Sequence, residues 1–410
     1  GEVLDRMTSL MNSYEAGEEG FENRKEEFFH MAGSLVEMAG MYGFSGNLWH
    51  TYLTQLLVNH ENAFSTASEI RGAVEGSINH LALHDFGIFK ELYDFDLAVF
   101  DSAFGTDCAD FLCNYVNTGC NSKVYNQRIC DRICDMSKTL AEASTVEEFM
   151  ADMVQFYKDF GVGKLGLNKA FRIEHGKDGK PVIAPITRIA HVNLDDLVGY
   201  EIPKQKLIEN TEAFVRGRKA NNCLLFGDAG TGKSSSIKGI LNRYYDEGLR
   251  IIEVYKHQFQ DLNDVIAQIK NRNYKFILYM DDLSFEEFEI EYKYLKAVIE
   301  GGLEKKPDNI LIYATSNRRH LVREKSGDKL EVADDEDLHS SDTVQEKLSL
   351  VYRFGVRIYF GAPNKKEFQN IVTTLAERYG VTMPAEELLT KANAWELSHG
   401  GLTGRTAQQF

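Results

Sequence analysis

A glycine-rich segment, set between an apolar run and a helical pattern, constrains the fold of this chain more than any other feature. It reads Gly227-Asp228-Ala229-Gly230-Thr231-Gly232-Lys233-Ser234, and the apolar run Leu224-Leu225-Phe226 comes directly before it. The segment matches the motif G-x-x-x-x-G-K-[ST] in full, and a strand before it with a helix after it is the context that this motif requires. The sequence therefore predicts a phosphate-binding loop, or P-loop, rather than an ordinary glycine turn.

The residue types of this loop suit a polyphosphate that carries a metal ion. Glycines let the backbone curl so that successive N–H groups face phosphate oxygens, and the helix N-terminus adds its positive dipole end. We expect Lys233 to reach the β- and γ-phosphates and the Ser234 hydroxyl to bind Mg²⁺. The predicted nucleotide-binding residues of the loop are Gly227, Asp228, Ala229, Gly230, Thr231, Gly232, Lys233, Ser234 and Ser235.

Two carboxylates follow a second apolar run. Asp281 and Asp282 come directly after Phe276-Ile277-Leu278-Tyr279-Met280. A P-loop needs a carboxylate at the end of a neighbouring strand to hold its metal ion. We therefore predict that Asp281 helps to bind Mg²⁺ and that Asp282 is the general base that polarises the attacking water. The structural alternative is that these aspartates only cap the helix that follows.

From residue 193 onward, strand-like apolar runs alternate with helical patterns. The runs lie at 224–226, 251–254, 275–280, 310–314 and 356–360. Such alternation is typical of a parallel sheet with helices on both faces. The predicted fold class is α/β, a P-loop NTPase with a five-stranded parallel sheet and a C-terminal helical lid, preceded by a mostly α-helical N-terminal domain.

The same patterns predict four segments along the chain. Residues 1–160 form an acidic, mostly helical accessory domain, and residues 161–192 form a β-hairpin linker around Gly176-Lys177-Asp178-Gly179. Residues 193–361 form the nucleotide-binding α/β domain, and residues 362–410 form the helical lid. A polar, acidic stretch from Arg323 to Glu346 is predicted to be a loop.

Acidic residues are concentrated in the N-terminal domain. The formal net charge is −16, and residues 1–160 hold 26 acidic and 10 basic residues. A surface of this sign repels phosphate backbones, so the charge argues against nucleic-acid binding. No run approaches the roughly 20 apolar residues of a transmembrane helix, and the start shows no signal-peptide pattern. We therefore expect a cytoplasmic protein with no membrane association.

The residues after position 193 resemble those of the AAA+ ATPases. Asn193 to Glu201 is similar to the segment that this family places before the P-loop, which implies that Val198, Gly199 and Tyr200 lie against the adenine. Ala314-Thr315-Ser316-Asn317 resembles the sensor-1 strand end, so Asn317 orients the water. Leu350 to Gly355 resembles the segment with the arginine finger, here Arg353, and Gly401 to Thr406 resembles the sensor-2 helix, with Arg405 at the γ-phosphate.

The pattern is more similar still to one bacterial family of predicted AAA+ ATPases, the domain of unknown function 815. The segments that carry this resemblance are 221–236, 281–287 and 313–321. The resemblance implies ATP or ADP with Mg²⁺ as the bound group, ATP rather than GTP, and a homo-oligomer whose arginine finger acts in trans. It implies no substrate.

One departure from AAA+ proteins concerns the general base. Most of them have Glu where this chain has Asp282. Aspartate is one methylene shorter, and a misplacement near 1 Å can cost about 100-fold in rate. Slow hydrolysis is therefore one expectation, and Glu286 or Glu287 on the following helix is the alternative base.

Some assignments stay open at the level of sequence. Arg318 and Arg319 follow sensor 1 and compete with Arg353 for the role of the finger, and each arginine has a surface ion pair as its alternative. Thiolates bind zinc or iron–sulfur clusters, but five cysteines at positions 108, 113, 120, 130 and 134 lack the C-x2-C spacing that makes such a site convincing. We expect no metal there and regard these cysteines as core residues.

The predicted function is that of an AAA+ ATPase that hydrolyses ATP to remodel or load an unidentified partner, which the acidic N-terminal domain recruits. One alternative is an ATP/ADP switch or scaffold with little turnover. Another is a helicase-loader-like ATPase, for which Arg318, Arg319, Arg323 and Lys325 form a small basic cluster. AAA+ unfoldases that thread polypeptides share an aromatic–apolar–glycine loop after the second strand. The corresponding segment here, 255–260, has aromatic residues but no glycine, so the resemblance does not imply threading.

Overall fold

The computed structural model describes residues 2–73, 75–117, 122, 124–125, 127–190, 192–285, 291–300, 307–317 and 350–410. Glu286 and Glu287, the acidic stretch from Arg323 to Glu346, the basic residues Arg318, Arg319, Arg323 and Lys325, and Cys120 lie outside these residues, so the predictions made for them stay predictions. The chain divides into two compact units, Gly1–Asn168 and Lys169–Phe410.

The first unit is helical. Its helices are α1 (Glu2–Glu15), α2 (Lys25–Tyr42), α3 (Leu48–Asn59), α4 (Ala63–Arg71), α5 (Ser77–Asp94), α6 (Ala98–Phe104), α7 (Cys108–Cys113), α8 (Gln127–Glu142), α9 (Val146–Phe160) and α10 (Gly163–Leu167). Side-chain caps fix several starts: Asn47 accepts from the His50 N–H at 3.1 Å, and Thr145 accepts from the Glu148 N–H at 3.2 Å. Large apolar side chains such as Trp49, Phe28 and Phe149 are fully buried and form one core.

The second unit is built on a sheet. Its strands are β1 (Ala170–His175), β2 (Pro181–Pro185), β3 (Cys223–Gly227), β4 (Leu249–Glu253), β5 (Lys275–Met280), β6 (Ile310–Ser316) and β7 (Val356–Phe360). Its helices are α11 (Glu201–Val215), α12 (Lys233–Tyr244), α13 (Leu262–Ile269), α14 (Glu291–Glu300), α15 (Lys365–Arg378), α16 (Ala385–Ser398) and α17 (Gly404–Gln409). The strand order is β2-β1-β4-β5-β6-β3-β7.

The predicted fold class is confirmed, but the predicted number of strands was wrong. The sheet has seven strands rather than five, because the hairpin β1–β2 joins it: β1 pairs with β4 in parallel and with β2 antiparallel. All the other neighbours in the sheet are parallel. Since pairing with β4 links residues about 80 positions apart, periodicity within the hairpin could not indicate it.

The order of the strands places the carboxyl ends of β3, β5 and β6 at one edge of the sheet. β6 lies between β3, which ends in the glycine-rich loop, and β5, which ends just before Asp281. In open parallel sheets, ligands bind outside the carboxyl ends of the strands. Beside this edge, α15, α16 and α17 enclose a small apolar core of their own, against which Val198 packs. These three helices lie in the region 362–410 that was predicted to be a helical lid, and we call them the lid.

Candidate functional site: a nucleotide pocket at the P-loop

The glycine-rich loop turns from β3 into α12 along a path that requires glycine. Gly227 has φ 135°, and a Cβ built there would lie 2.1 Å from the carbonyl oxygen of Phe360. Gly230 and Gly232 have φ 74° and 86°, a left-handed conformation that side chains disfavour. Gly232 is the N-cap of α12, so the loop leads directly to the N–H groups of a helix start. Such a nest of N–H groups suits an anion.

Lys233 is buried under this loop and is already oriented by it. The side chain donates from Nζ to the carbonyl oxygens of Gly227 at 3.1 Å and of Asp228 at 2.6 Å. Burial lowers the pKa of Lys233, and the nearby carboxylates, beginning with Asp228, oppose that shift. The ammonium group is thus fixed in position, partly removed from water, and held at the base of the anion nest.

A carboxylate faces the start of α12 from the end of β5. Asp281 Oδ1 accepts hydrogen bonds from Ser234 Oγ at 2.8 Å, Tyr279 OH at 2.7 Å and Thr315 Oγ1 at 2.5 Å. Burial by itself raises the pKa of Asp281, but these hydrogen bonds outweigh it, and the pKa is held below its ordinary value. Asp281 is therefore an anion at neutral pH, within hydrogen-bond reach of the Ser234 hydroxyl.

The neighbouring carboxylate has a different environment. Asp282 has φ 50°, an uncommon conformation for a residue other than glycine, which turns the chain at the end of β5. Its backbone N–H donates to Thr315 Oγ1 at 2.9 Å, and its Oδ1 accepts from Asn317 Nδ2 at 2.9 Å. Asp282 and Asn317 are both exposed and lie side by side at the mouth of the site.

These groups line one cavity of about 380 Å³ between the loop and the lid. Of the residues predicted from the sequence, those that line it are Val198, Tyr200, Ala229, Gly230, Thr231, Gly232, Lys233, Ser234, Ser235, Asp281, Asp282, Asn317 and Arg405. Gly227, Asp228 and Gly199 do not line it. Gly199 has φ 82° and adjoins Ile371 of α15, while Asp228 Oδ2 accepts from the Ala362 N–H at 2.7 Å. The structure thus brings most of the predicted site together.

The cavity fits a nucleotide by two independent observations. The first is the glycine-rich loop described above, whose Gly230 and Gly232 line the cavity in a left-handed conformation that leads to the N–H groups at the start of α12. The second is the Tyr200 hydroxyl, which is buried in the cavity wall with no hydrogen-bond partner among the described residues. Burial, with Glu367 and Asp228 nearby, raises the pKa of Tyr200 to about 12, so this hydroxyl is a neutral donor. A ligand with a polar group at this end of the cavity would satisfy it.

Sequence reasoning missed several residues that line the cavity or hold its carboxylates. Thr315 holds both Asp281 and Asp282, and Tyr279 also donates to Asp281. Lys204, which is nearly buried, donates to the Leu197 carbonyl oxygen at 2.6 Å and fixes the segment before α11. Of these residues, only Thr315 could have been found from the sequence, because it lies in the Ala314–Asn317 segment. Spacing along the chain could not show that the Thr315 hydroxyl of β6 bonds to the carboxylate after β5.

Arg353 does not line this cavity. Its guanidinium forms an ion pair with Glu300 of α14, and about 29% of its side chain is exposed. An arginine that serves a neighbouring subunit is expected to lie away from its own site, and the role of Arg353 as the finger stays a prediction. Arg405 does line the cavity, and its backbone N–H donates to the Gly230 carbonyl oxygen at 3.3 Å. The lid therefore touches the loop through α17.

Four of the five clustered cysteines lie within the described residues, at positions 108, 113, 130 and 134. Among the described residues, no group of three or more His, Cys, Asp or Glu side chains is arranged to hold a metal ion. Burial raises the pKa of the Cys130 thiol to about 11, and its Sγ donates to the Tyr42 carbonyl oxygen at 2.7 Å. Burial also raises the pKa values of Cys108, Cys113 and Cys134, which favours neutral thiols.

Comparison with known sequences shows the family. Residues 167–410, more than half of the chain, match the family described as "Protein of unknown function (DUF815)". The chain belongs to this family. The resemblance to domain of unknown function 815 that the sequence indicated is thus confirmed, and the matched region of this DUF815 protein contains the whole cavity. No curated protein matches the chain.

Solved structures resemble about half of the DUF815 chain. A point mutant of Thermotoga maritima RuvB is 18% identical, with a TM-score of 0.38 over 54% of this chain and 64% of that one. The FIGL-1 AAA domain in complex with ADP is 16% identical, with a TM-score of 0.38 over 54% and 72%. The T. maritima RuvB Holliday junction branch migration motor is 15% identical, with a TM-score of 0.34 over 53% and 70%. The chain thus spans just under two thirds of the first RuvB chain.

Within the described parts of the chain, no helix combines the length and the apolar character that crossing a bilayer requires.

Proposed function

We propose that this protein is an AAA+ ATPase that binds ATP with Mg²⁺ and hydrolyses it to remodel or load a partner. The observation that carries the proposal is the convergence of Ser234, Asp281, Asp282 and Asn317 in the cavity beside the glycine-rich loop. An anion nest, metal ligands and groups that orient water are the parts that phosphoryl transfer requires. The reason is that its catalysis consists mostly of positioning the reactants and stabilising the charge of the transition state.

Phosphate binding in this proposal uses the loop, Lys233 and Arg405. The N–H groups at the start of α12 and the Lys233 ammonium neutralise phosphate oxygens, and Lys233 exchanges its carbonyl partners at Gly227 and Asp228 for them. Arg405 of the lid provides a planar, permanently charged fork for the terminal phosphate. Val198 and Tyr200 flank the base and sugar end of the cavity.

Ser234 and Asp281 are the residues that would hold Mg²⁺. Both present oxygen atoms, which is the donor type that this ion prefers, and the Asp281 carboxylate is ionised. When bound, Mg²⁺ supplies charge neutralisation between phosphate oxygens. Tyr279 and Thr315 keep the Asp281 carboxylate in one orientation through their hydroxyl groups.

Asp282 and Asn317 act on water. Asp282 accepts a proton from the attacking water. Asn317 donates a hydrogen bond to the Asp282 carboxylate and orients that water. The short Asp282 side chain also supports a second candidate function, an ATP/ADP switch with little turnover, because its reach is one methylene less than that of a glutamate. The two functions differ in turnover and share the binding site.

We propose further that the working form is a homo-oligomer. In it, Arg353 leaves its ion pair with Glu300 and completes the site of a neighbouring subunit. The acidic helical unit then recruits the partner.

The first experiment measures phosphate release from ATP with Mg²⁺ over a range of protein concentrations, together with the binding of a fluorescent ATP analogue. We expect turnover per subunit to rise with concentration. Lys233→Ala should weaken binding by about 10- to 100-fold, because a charged donor to phosphate is lost. Asp282→Asn should bind normally and lose about 100-fold in turnover, as expected for a general base.

Lys238→Ala is the matched control, because Lys238 is an exposed lysine of the same helix α12. It should leave both measurements unchanged. If the unmodified protein binds ATP tightly without releasing phosphate, the ATPase proposal fails and the switch is favoured. If neither ATP nor ADP binds, both functions fail.

A further inference from the structure

An apolar groove lies in the helical unit, and none of its lining residues belongs to the unit that contains the proposed nucleotide site. It has a volume of about 600 Å³ and is lined by α1, α3, α4 and α5, with side chains that include Leu4, Leu56, Phe64, Ile78, Leu81 and Phe86. Leu81 is 64% exposed and Ile88 is 48% exposed. Apolar side chains gathered at one exposed place cost free energy in water, and such patches mark binding sites.

Helix α5 supplies one wall of this groove along a single face. Ile78, Leu81, Asp85 and Phe89 follow one another at spacings of three or four residues, Ala82 lies four residues after Ile78 and three before Asp85, and all of them line the groove. A helix that packs only on its own core needs no exposed leucine on its apolar stripe. The stripe therefore continues past the core of the unit and is available to a second helix, since ridges at this spacing pack into the grooves of another helix.

The charge around the groove is mainly negative. No lysine or arginine is among the described residues that line it, whereas Asp85 lies in the middle of the apolar stripe with about 66% of its side chain exposed. Exposed acidic residues adjoin lining residues in sequence, Asp5 next to Leu4 and Glu61 next to His60. Of the lysines that adjoin lining residues, Lys158 is exposed beside Tyr157 of α9, and Lys90 beside Phe89 is paired with Asp94. Residues 1–160, which contain this groove, hold 26 acidic and 10 basic residues.

We propose that this groove binds an amphipathic helix of a partner protein, one with an apolar ridge flanked by lysine or arginine. The apolar ridge fills the space beside Leu81 and Phe86, and a cationic side chain pairs with Asp85 at the edge of the stripe. A helix in a groove is a recurring mode of peptide recognition, with anchors at three- and four-residue spacing. Fatty acids and anionic membranes are disfavoured by the same acidic charge.

This proposal rests on the proposed function insofar as it names the surface that captures the partner of the ATPase. Binding itself needs no nucleotide, so the two can be tested separately. Lys233→Ala, which removes the phosphate-binding ammonium, should bind the partner helix as the unmodified protein does.

The test uses the full chain and a dye-labelled model helix of leucine and lysine, about 18 residues or roughly five turns long. A second helix of the same length carries glutamate in place of lysine. We expect fluorescence anisotropy to show binding of the lysine helix, and binding of the glutamate helix at least about tenfold weaker. Leu81→Arg and Asp85→Lys should each reduce binding of the lysine helix by about tenfold or more.

Two matched controls make the outcome specific. Leu397→Arg changes another exposed leucine, 82% exposed on α16, and Asp135→Lys makes the same charge reversal at another exposed aspartate, on α8 and outside the groove lining. Both should bind as the unmodified protein does. Because Leu81 and Asp85 are exposed, their variants are expected to fold, which circular dichroism checks.

Three outcomes overturn the proposal. An equal loss of lysine-helix binding in Leu81→Arg and Leu397→Arg shows that this helix is bound by the overall negative charge of the protein and not by the groove. Binding of palmitate or phosphatidylglycerol vesicles that Leu81→Arg abolishes, without binding of the lysine helix, assigns the groove to a lipid. Dissociation of an oligomer by Leu81→Arg in sedimentation, without binding of the helix, assigns it to a second copy of this chain.

Discussion

At the scale of single residues, Thr315 connects the two carboxylates of the site. Its hydroxyl donates to Asp281 Oδ1 and accepts from the Asp282 N–H, and the side chain is 2% exposed. One buried hydroxyl thus fixes the orientation of the proposed metal ligand and the turn that presents the proposed general base. Loss of that hydroxyl leaves the Asp282 N–H and the Asp281 carboxylate each short of one partner.

We expect Thr315→Val to destabilise the protein by about 1–3 kcal/mol and to weaken the dependence of nucleotide binding on Mg²⁺. Urea unfolding and Mg²⁺ titration measure these effects, and Thr315→Ser, which keeps the hydroxyl, should restore both. The sign of the pH dependence follows from the lowered pKa of Asp281. The stabilisation that the ionised Asp281 carboxylate provides is present above the unfolded-state pKa and is lost as the pH falls through the folded-state pKa, which is lowered by the hydrogen bonds.

The difference in stability between Thr315→Val and the unmodified protein should therefore be largest near neutral pH and shrink in acid. A difference that grows as the pH falls would contradict the assigned role of the hydroxyl.

At the scale of secondary-structure elements, the turn after β3 is joined to the start of the lid. Asp228 accepts from the Ala362 N–H at 2.7 Å, and the Asp228 N–H donates to the Phe360 carbonyl oxygen at 3.0 Å. Ala362 lies between β7 and α15, so one aspartate of the P-loop holds the junction from which the lid leaves the sheet. Asp228 was predicted to bind nucleotide; we propose instead that it positions the lid.

Asp228→Ala should loosen this junction. We expect amide hydrogen exchange around Ala362 to rise by roughly tenfold or more, because a hydrogen bond to a charged acceptor is lost, and nucleotide affinity to fall with it. Asp228→Asn keeps an acceptor oxygen and serves as the control. Unchanged exchange in Asp228→Ala together with lost affinity would return Asp228 to direct nucleotide binding.

The elements also differ in how far the sequence could predict them. The loop at Gly227–Ser234 and the carboxylates at Asp281 and Asp282 were predictable, because each follows from residues adjacent in the chain. The joining of β1 to β4 was not, since strand pairing depends on residues far apart. Nor was the role of Lys204, because a buried lysine that donates to the Leu197 carbonyl oxygen resembles any other lysine of an amphipathic helix in sequence.

At the scale of the whole molecule, the chain separates binding surfaces by charge. The net charge of −16 is carried by residues 1–160, while residues 161–410 hold 36 acidic and 36 basic residues. A partner with a basic helix would therefore be drawn to the helical unit, and electrostatic steering of this kind weakens with salt. The nucleotide site lies in the balanced unit.

Mixing two inactive variants tests the proposed shared site. Arg353→Ala keeps its P-loop and lacks the finger, whereas Lys233→Ala lacks the P-loop lysine and keeps the finger. If the finger acts in trans, each variant alone should lose ATPase activity, by about 1,000-fold for Arg353→Ala, and a mixture should regain part of it. Arg357→Ala, at an exposed arginine of β7, is the control for loss of charge. No recovery in a mixture shown to co-assemble would contradict a shared site.

The hairpin that completes the sheet also determines how its outer edge meets other chains. The Ile186 N–H donates to the Ala170 carbonyl oxygen, so by the two-residue period the backbone groups of Pro181, Ile183 and Pro185 face outward. Two of these three residues are prolines without an N–H, and Gln268 Nε2 already donates to the Pro181 carbonyl oxygen at 2.9 Å. A foreign strand that approached β2 would find a single amide to pair with. The β2 edge of the sheet is therefore protected against the addition of strands from other chains and against amyloid-like association.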